Sequence, residues 1–434
     1  MINKMYVSIK RVVDDPRIRN SLWMLIEKAI SLFGLIFVIS AVAKYTGPTI
    51  YGEIALAGSI FLVVKPISQL GLDQIYFKYV SQNKPFIHFF FTNSLILITC
   101  IYILISSLVL IFSWFNASLL GFIFIVATAI AYYFNSIDLS NAYFEGTLRA
   151  KFNVLANIVG LIVTLILRYL IVIFEFSYYY LAIPIVTMTL IPFLIKLNFY
   201  NKNIKKIKVG GVKFRKKYYK YFFGVGIPLT LSVLASVFNS QIANYIIAIL
   251  LDVKNVGFYN VAFILAGAWC IVCTTLILSY MTSIYSISTS LVDEYIAFSR
   301  KIFYFIFFIA AFFVFVLIFS AEYIVLFLYG EQYFPSVQLF KILLFGQLFW
   351  VLNFFLSRLI IKYSGYRFLA VKTIMALFFN FILCINLIPK YGVNGAAYAV
   401  TISELLSLIF CFGYGKAYIL QIVFNLKLSK FKRV

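Results

Sequence analysis

Long apolar stretches dominate this 434-residue sequence and restrict the folds that it can adopt. Hydrophobic residues make up 64% of the chain and charged residues only 12%, whereas roughly a quarter of residues are charged in soluble domains. The chain is therefore predicted to be an all-α polytopic membrane protein. Because about 20 apolar residues cross a bilayer as a helix, we count about 12 spans, at about 20–44, 50–71, 86–112, 118–140, 152–174, 177–199, 222–250, 258–288, 300–328, 336–361, 368–388 and 394–415.

One strongly basic stretch separates the first six spans from the last six. It reads YNKNIKKIKVGGVKFRKKYYKY and carries nine Lys or Arg and no acid. Basic residues of short loops stay on the cytoplasmic side of a membrane. We therefore predict a six-helix lobe at 1–199, a cytoplasmic basic hinge at 200–221, and a second six-helix lobe with a basic cytoplasmic tail at 222–434.

The distribution of basic residues supports this topology. Of the 37 Lys and Arg, 29 fall on one predicted side of the membrane, four on the other and four inside spans. This asymmetry predicts that both termini are cytoplasmic. The net charge of +23 is explained by loops that face anionic membrane lipids, so no nucleic-acid partner is predicted.

Two polar stripes indicate an internal repeat. Six spans in each half give both halves the same orientation, so a repeat would be parallel, with its axis along the membrane normal. Superposing Gly52 on Gly257 gives an offset of 205 residues. The offset pairs two stripes with helical i, i+4, i+7 spacing, which are Glu27, Ser31 and Gly34 on the first span and Ser232, Ser236 and Asn239 on the seventh. Such stripes either line a wet cavity or pack helices together, and the charge of Glu27 favours the cavity.

Some ionisable residues inside the spans can reach the interface. A charge at bilayer depth costs at least about 2.5–3.5 kcal/mol, so a long side chain near a span end is expected to snorkel to the head groups. On this basis Lys65, Asp138, Glu322 and Arg358 are predicted to be snorkelled or capped.

Four ionisable residues lie deeper: Glu27, Lys28, Arg168 and Glu404. Lys28 and Arg168 are the cationic candidates by depth, although Arg168 can also snorkel outward. Glu404 has no basic neighbour in sequence, so it either finds a partner on another helix or is protonated. Together with Glu27 it is the candidate for coupling to an ion.

The sequence lacks the patterns of catalytic chemistry. The single histidine, His88, lies beside the third span and suits interfacial anchoring. Cys270 and Cys273 have helical spacing, which is only a weak metal signal, and the five cysteines fit apolar packing. We therefore predict no enzyme activity, no cofactor and no metal site.

Two segments carry a family resemblance. The stretch SLWMLIEKAISLFGLIFVISAVAKYTGPTIYGEIALA resembles the opening of O-antigen flippases of the Wzx type. The stretch LIPKYGVNGAAYAVTISELLSLIF resembles the eleventh-to-twelfth-span region of the same family. These flippases belong to the polysaccharide transporter branch of the multidrug/oligosaccharidyl-lipid/polysaccharide (MOP) exporter superfamily.

The resemblance implies two six-helix lobes around a central cavity, as in MATE transporters, in a multi-pass protein of the bacterial inner membrane. The implied cargo is an undecaprenyl-pyrophosphate-linked oligosaccharide, the O-antigen repeat unit of lipopolysaccharide, carried by alternating access from the cytoplasmic to the periplasmic leaflet. Lys28 and Arg168 would then hold the head group, H⁺ or Na⁺ would drive the cycle, and other glycan-assembly membrane proteins would be partners.

Two other functions remain open at the level of the sequence. A drug/cation antiporter of the same superfamily would share the spans and would need an acidic cavity. A membrane glycan polymerase is a weaker fit, because such enzymes usually carry a long outer loop that supports catalysis. The predicted outer connections here are all roughly a dozen residues or fewer, which leaves little material for an external active site.

Overall fold

The computed structural model describes residues 16–82, 87–204, 216–288, 291–415 and 418–424, and this part of the chain contains helices and no β-strand. Two 3₁₀ helices lie at Tyr178–Leu181 and Glu331–Tyr333. The α-helices, numbered in chain order, are α1 (Pro16–Gln69), α2 (Leu72–Ser81), α3 (Ile87–Asn116), α4 (Leu119–Ile137), α5 (Ser140–Gly146), α6 (Lys151–Ile173), α7 (Ala182–Ile204), α8 (Lys216–Leu250), α9 (Val253–Ala268), α10 (Cys270–Ser286), α11 (Val292–Tyr329), α12 (Pro335–Lys362), α13 (Tyr366–Tyr391), α14 (Val393–Cys411) and α15 (Ile419–Phe424).

Within the described residues, 11 helical segments are long and apolar enough to cross a membrane. Ten of them overlap the third to twelfth predicted spans. The first two predicted spans are joined in α1, a helix of 54 residues that is interrupted at Gly47. Gly47 has φ 75° and ψ 170°, a conformation that glycine adopts without a Cβ clash, and Pro48 follows it without an N–H to donate. The all-α membrane fold is therefore confirmed, with a kink where the sequence predicts a turn.

The chain forms two compact units, Met1–Val237 and Phe238–Val434. The division falls inside α8. A Cβ at Gly226, in the first half of that helix, would overlap the carbonyl oxygen of Leu70, so this half packs closely within the first unit. Residues 205–215 of the predicted hinge lie outside the described residues. The hinge and its exact bounds stay a prediction.

The first unit is built around α1, which packs against α3, α4 and α6, while α7 packs against α4 and α6. The close approach of α6 and α7 depends on Gly160, because a Cβ there would overlap the ring of Pro192. A buried aromatic cluster holds one end, where the hydroxyls of Tyr76 and Tyr200 are 3.0 Å apart. Burial, followed by the neighbouring Tyr200, raises the pKa of Tyr76, so this hydroxyl stays protonated.

In the second unit, α14 packs against α12 and α13, and α12 packs against α9 and α11. Gly395 at the start of α14 allows the contact with α13, since a Cβ there would overlap the Leu387 carbonyl oxygen. Gly392, just before the helix, has φ 59°. Gly392 and Gly395, which belong to the second stretch that carries the family resemblance, therefore have a structural reason.

Large apolar side chains cover much of the outer surface. Phe115, Ile249 and Phe319 are 79%, 79% and 75% exposed, for example. Contiguous exposed apolar surface of this kind is unusual in soluble monomers but is what a hydrocarbon solvent requires. The chain is accordingly a multi-pass membrane protein.

Candidate functional site

A polar cavity of about 790 Å³ lies within the first unit. Its walls come from α1, α2, α4, α5, α6 and α7 and from Asp138, which follows α4. Ligand pockets are usually lined mainly by apolar and aromatic side chains. Here most lining side chains are polar: the acids Glu27, Asp73, Asp138 and Glu145, the amides Gln69, Gln74, Asn135, Asn141 and Asn157, the hydroxyls Ser31 and Thr189, and the amines Lys65 and Lys196.

A buried ion pair forms part of this wall. The Nζ of Lys196 on α7 lies 2.8 Å from Oδ2 of Asp138, and the two side chains are only 6% and 10% exposed. Ser140 donates a hydrogen bond to the other carboxylate oxygen of Asp138. The carboxylate is thus held by a cation on one side and a hydroxyl on the other, which compensates for its removal from water.

Lys65 lies on the same wall and donates a hydrogen bond of 2.8 Å to Oδ1 of Asn135. Lys65 and Asp138, which the sequence predicts to be snorkelled or capped, both line the cavity and have polar partners there. The count of basic residues places Lys196 among those that face a loop, and it is instead buried. Position along a span does not indicate the direction in which a side chain points, so the sequence could not distinguish these cases.

A smaller recess of about 180 Å³ lies between α1, α5 and α6 and shares four lining residues with the cavity, Glu27, Asn141, Glu145 and Asn157. Glu27 accepts a hydrogen bond of 2.6 Å from Nδ2 of Asn157, and Glu145 accepts one of 2.9 Å from Nδ2 of Asn141. Asn153 donates through Nδ2 to the backbone carbonyl of Asn141 at 2.9 Å. The amide donors of the recess are therefore directed at acceptors of the protein itself.

The structure agrees with part of the predicted cavity lining. Glu27 and Ser31 do line the cavity. Ser236 is exposed, while Asn239 accepts two hydrogen bonds from Nδ2 of Asn380, at 3.0 Å on its carbonyl oxygen and 3.2 Å on Oδ1. Asn239 thus has a helix-packing contact within the second unit. The side chain of Ser232 lies outside the described residues, and the lining roles of these three residues stay a prediction.

The two predicted head-group residues have different outcomes. The backbone of Lys28 belongs to α1, but its side chain lies outside the described residues. Arg168 on α6 is not among the residues that line the described cavity, and Tyr51 is the group with which it interacts electrostatically. The structure therefore brings Lys65 and Lys196, rather than Arg168, to the cavity wall.

A second polar cluster lies in the other unit, around Lys372. Although its place in the sequence predicts an interfacial lysine, Lys372 is only 5% exposed. Its Nζ donates to Oδ1 of Asn353 at 2.5 Å, to Oγ of Ser357 at 3.0 Å and to Sγ of Cys411 at 3.3 Å. The ammonium is therefore held by three side chains from α12 and α14.

Glu404 belongs to the same cluster. Its Oε2 lies 3.5 Å from Nδ2 of Asn353, which also donates to Oγ of Ser407 at 2.9 Å. The expectation that Glu404 finds a partner on another helix is thus met by Asn353 of α12, with Lys372 one residue further along the network. Lys372 shares its buried helix face with Ala376 and Asn380, a placement that its position near the start of a predicted span does not indicate.

The chain matches one known protein family by sequence. The family described as polysaccharide biosynthesis protein matches residues 41–338, which is more than half of the chain. Among curated protein sequences none matches.

Solved structures share the fold. A lipid II flippase, MurJ, in an inward closed conformation superposes with a TM-score of 0.68 at 16% identity, over 94% of this chain and 90% of that one. An inward-facing multidrug resistance MATE family transporter of the MOP superfamily superposes with a TM-score of 0.59 at 15% identity, over 93% of this chain and 95% of that one. At these identities the likeness establishes the fold and leaves the cargo open.

Proposed function

This chain belongs to the polysaccharide biosynthesis protein family, and from that premise we propose that it is a flippase for a polyprenyl-pyrophosphate-linked oligosaccharide. The cargo would be an undecaprenyl-pyrophosphate-linked unit such as an O-antigen repeat, moved from the cytoplasmic to the periplasmic leaflet by alternating access. A transporter rather than a catalyst is the class that the family and the shared fold support.

The observation that carries this proposal is the polar lining of the cavity in the first unit. Carboxylates and amides bind sugar hydroxyls through paired hydrogen bonds, since they offer several acceptors and donors at fixed spacing. A bilayer-embedded cavity lined in this way would otherwise be costly, because each polar group needs a partner where bulk water is absent. A polyhydroxylated cargo supplies those partners.

The two lysines offer a site for the pyrophosphate. Lys65 uses one N–H on Asn135, which leaves two protons of its ammonium for phosphate oxygens. Lys196 is held by Asp138, so an incoming anion would compete with that carboxylate for the same ammonium. Lys28 remains a further head-group candidate, whereas Arg168 is a weaker one, since it does not line the cavity.

A second function has a specific observation in its favour. Among the lining side chains that the structure describes, four carboxylates stand against two ammonium groups. An acidic cavity is what a drug/cation antiporter of the same superfamily would need. The flippase proposal fits the family better, and it requires the carboxylates to bind neutral hydroxyls instead of cations.

A transport assay separates these two functions. Purified protein in vesicles is offered either a fluorescent lipid-linked glycan or a cationic dye. We expect translocation of the glycan lipid, a loss of it in Lys196→Gln, and little change in Lys202→Gln, because Lys202 is exposed on the same helix α7. Dye transport that survives Lys196→Gln, without glycan translocation by the natural sequence, would favour the antiporter.

For energy coupling we propose a proton at Glu404 in preference to Na⁺. The Lys372 ammonium already occupies the centre of that cluster and repels a second fixed cation. A proton on Glu404 adds no separate ion to the cluster, because it neutralises the carboxylate on which it is carried.

We also propose the bacterial inner membrane as the location, with both termini cytoplasmic and other glycan-assembly membrane proteins as partners. Reporter fusions at Gly210 and Val434 test the topology, because enzymes that fold only in the cytoplasm would be active at both positions. Activity of periplasm-specific reporters at these positions would show that the orientation is opposite to the proposed one. The proposed direction of transport would then be reversed as well.

A further inference from the structure

The recess between α1, α5 and α6 offers more hydrogen-bond acceptors than donors. Nδ2 of Asn157 is directed at Glu27, Nδ2 of Asn141 at Glu145, and Nδ2 of Asn153 at a backbone carbonyl. Most of the remaining capacity among the described lining residues belongs to the second carboxylate oxygens and to the amide oxygens. Each of these amide nitrogens keeps one further N–H, but the carboxylate and amide oxygens offer more free lone pairs than these three protons, so a ligand rich in donors suits the recess.

Asn153 provides an independent indication that a partner is missing. It is 3% exposed and lines the recess, and its Oδ1 has no hydrogen-bond partner within the described part of the chain. A buried polar atom without a partner costs about 1–3 kcal/mol and is rare in native proteins, so a donor is expected beside this oxygen.

The dimensions of the recess favour a group larger than a single ion. Its volume of about 180 Å³ corresponds to roughly six water molecules at ~30 Å³ each. A dehydrated monovalent cation would leave most of that space empty, whereas a sugar ring fills it and directs several O–H groups outward. The recess shares Glu27, Asn141, Glu145 and Asn157 with the lining of the cavity that contains Lys65 and Lys196, so the two regions are adjacent.

We propose that this recess is a sugar subsite that recognises donor groups, the hydroxyls or an amino group, of one saccharide of the cargo. This inference rests on the proposed flippase function. It adds that two parts of the cavity bind two different parts of the cargo. The lysine wall holds the pyrophosphate, and the recess holds a saccharide through Glu27 and Glu145, next to the buried Asn153. This subsite explains the excess of carboxylates in the cavity, because sugar hydroxyls can donate hydrogen bonds to carboxylates and no cationic cargo is required.

The test compares two lipids on the purified full-length protein in detergent. One is bare polyprenyl pyrophosphate and the other is the same lipid carrying a hexosamine. We expect the natural sequence to prefer the glycosylated lipid, and Glu145→Gln to reduce this preference about tenfold, since one hydrogen bond to a charged acceptor supplies binding energy of that order. Glu27→Gln, on a different helix, is expected to reduce the preference for the glycosylated lipid by a similar factor. Testing both variants keeps the result interpretable if one of them fails to fold.

Controls make the outcomes distinct. Glu175→Gln, an exposed carboxylate of the same unit, should keep the natural preference. Equal loss in Glu145→Gln and Glu175→Gln, or a preference that both recess variants retain, would overturn the subsite. The subsite would also be overturned if sodium ions stabilised the protein in place of the glycosylated lipid. Failure of the natural sequence to bind either lipid would instead overturn the flippase function, and the subsite with it.

Discussion

The two units of this protein hold buried lysines in different ways. In the first unit Lys196 is paired with the carboxylate of Asp138 at 2.8 Å on the wall of a cavity of about 790 Å³. In the second unit Lys372 is held by the uncharged groups of Asn353, Ser357 and Cys411. A pair beside an open cavity can be exchanged by a competing anion, whereas an ammonium enclosed by neutral acceptors stays in place. The first unit therefore holds an exchangeable cation and the second a fixed one.

The largest effect is expected from breaking the ion pair. Lys196→Met leaves the Asp138 carboxylate buried without its cation and should lower the free energy of unfolding by about 3–5 kcal/mol. The double variant Lys196→Met with Asp138→Leu should recover much of this loss. Denaturant titration in detergent measures both values, with Lys202→Met as the control. A loss below about 1 kcal/mol, the usual range of an exposed pair, would show that the pair is solvated.

A smaller loss is expected at the enclosed lysine of the second unit. Lys372→Met removes charge-assisted hydrogen bonds, and the free energy of unfolding should fall by about 1.5–3 kcal/mol. Lys390→Met, an exposed position on the same helix α13, serves as the reference. If Lys372→Met lowers the free energy of unfolding more than Lys196→Met does in the same titration, the expected contrast between the two units is wrong.

Lys65 sharpens the contrast, because it lines the cavity and its ammonium donates to a neutral partner, Asn135. Lys65→Gln should change the free energy of unfolding by only about 0.5–1.5 kcal/mol, the net value of one hydrogen bond. Affinity for bare polyprenyl pyrophosphate should nevertheless fall, since a cation of the cavity is lost. Unchanged affinity for this lipid would remove Lys65 from the head-group site.

The smallest structural effect is expected at Glu404. Glu404→Gln keeps the size and one oxygen that can accept from Asn353, so the free energy of unfolding should change by less than about 1 kcal/mol. Transport driven by an imposed pH gradient should be lost, and Glu322→Gln, an exposed carboxylate of the same unit, should retain it. Gradient-driven transport that survives in Glu404→Gln would assign this residue to packing.

The sequence by itself determined the class of fold and most helix positions. About 20 apolar residues are needed to cross a bilayer, so the third to twelfth predicted spans overlap the observed helices, with ends that differ by at most eight residues. Gly47 and Gly392 fall between predicted spans, because the apolar runs are interrupted there by glycine and proline, which act on the local backbone. Glu27, Ser31 and Glu404 could be selected, since polar groups in apolar runs need partners.

Only the tertiary structure decided which charges meet. Asp138 and Lys196 are 58 residues apart, and Lys372 lies 19 residues from Asn353 and 39 from Cys411. Depth in a span is a one-dimensional quantity, whereas burial depends on the rotation of each helix about its axis and on its neighbours. Lys65, Lys196 and Lys372 could therefore not be separated from snorkelling lysines in the sequence. Their partners come from other helices, and it is the packing of those helices that turns scattered polar residues into a cavity and an enclosed network.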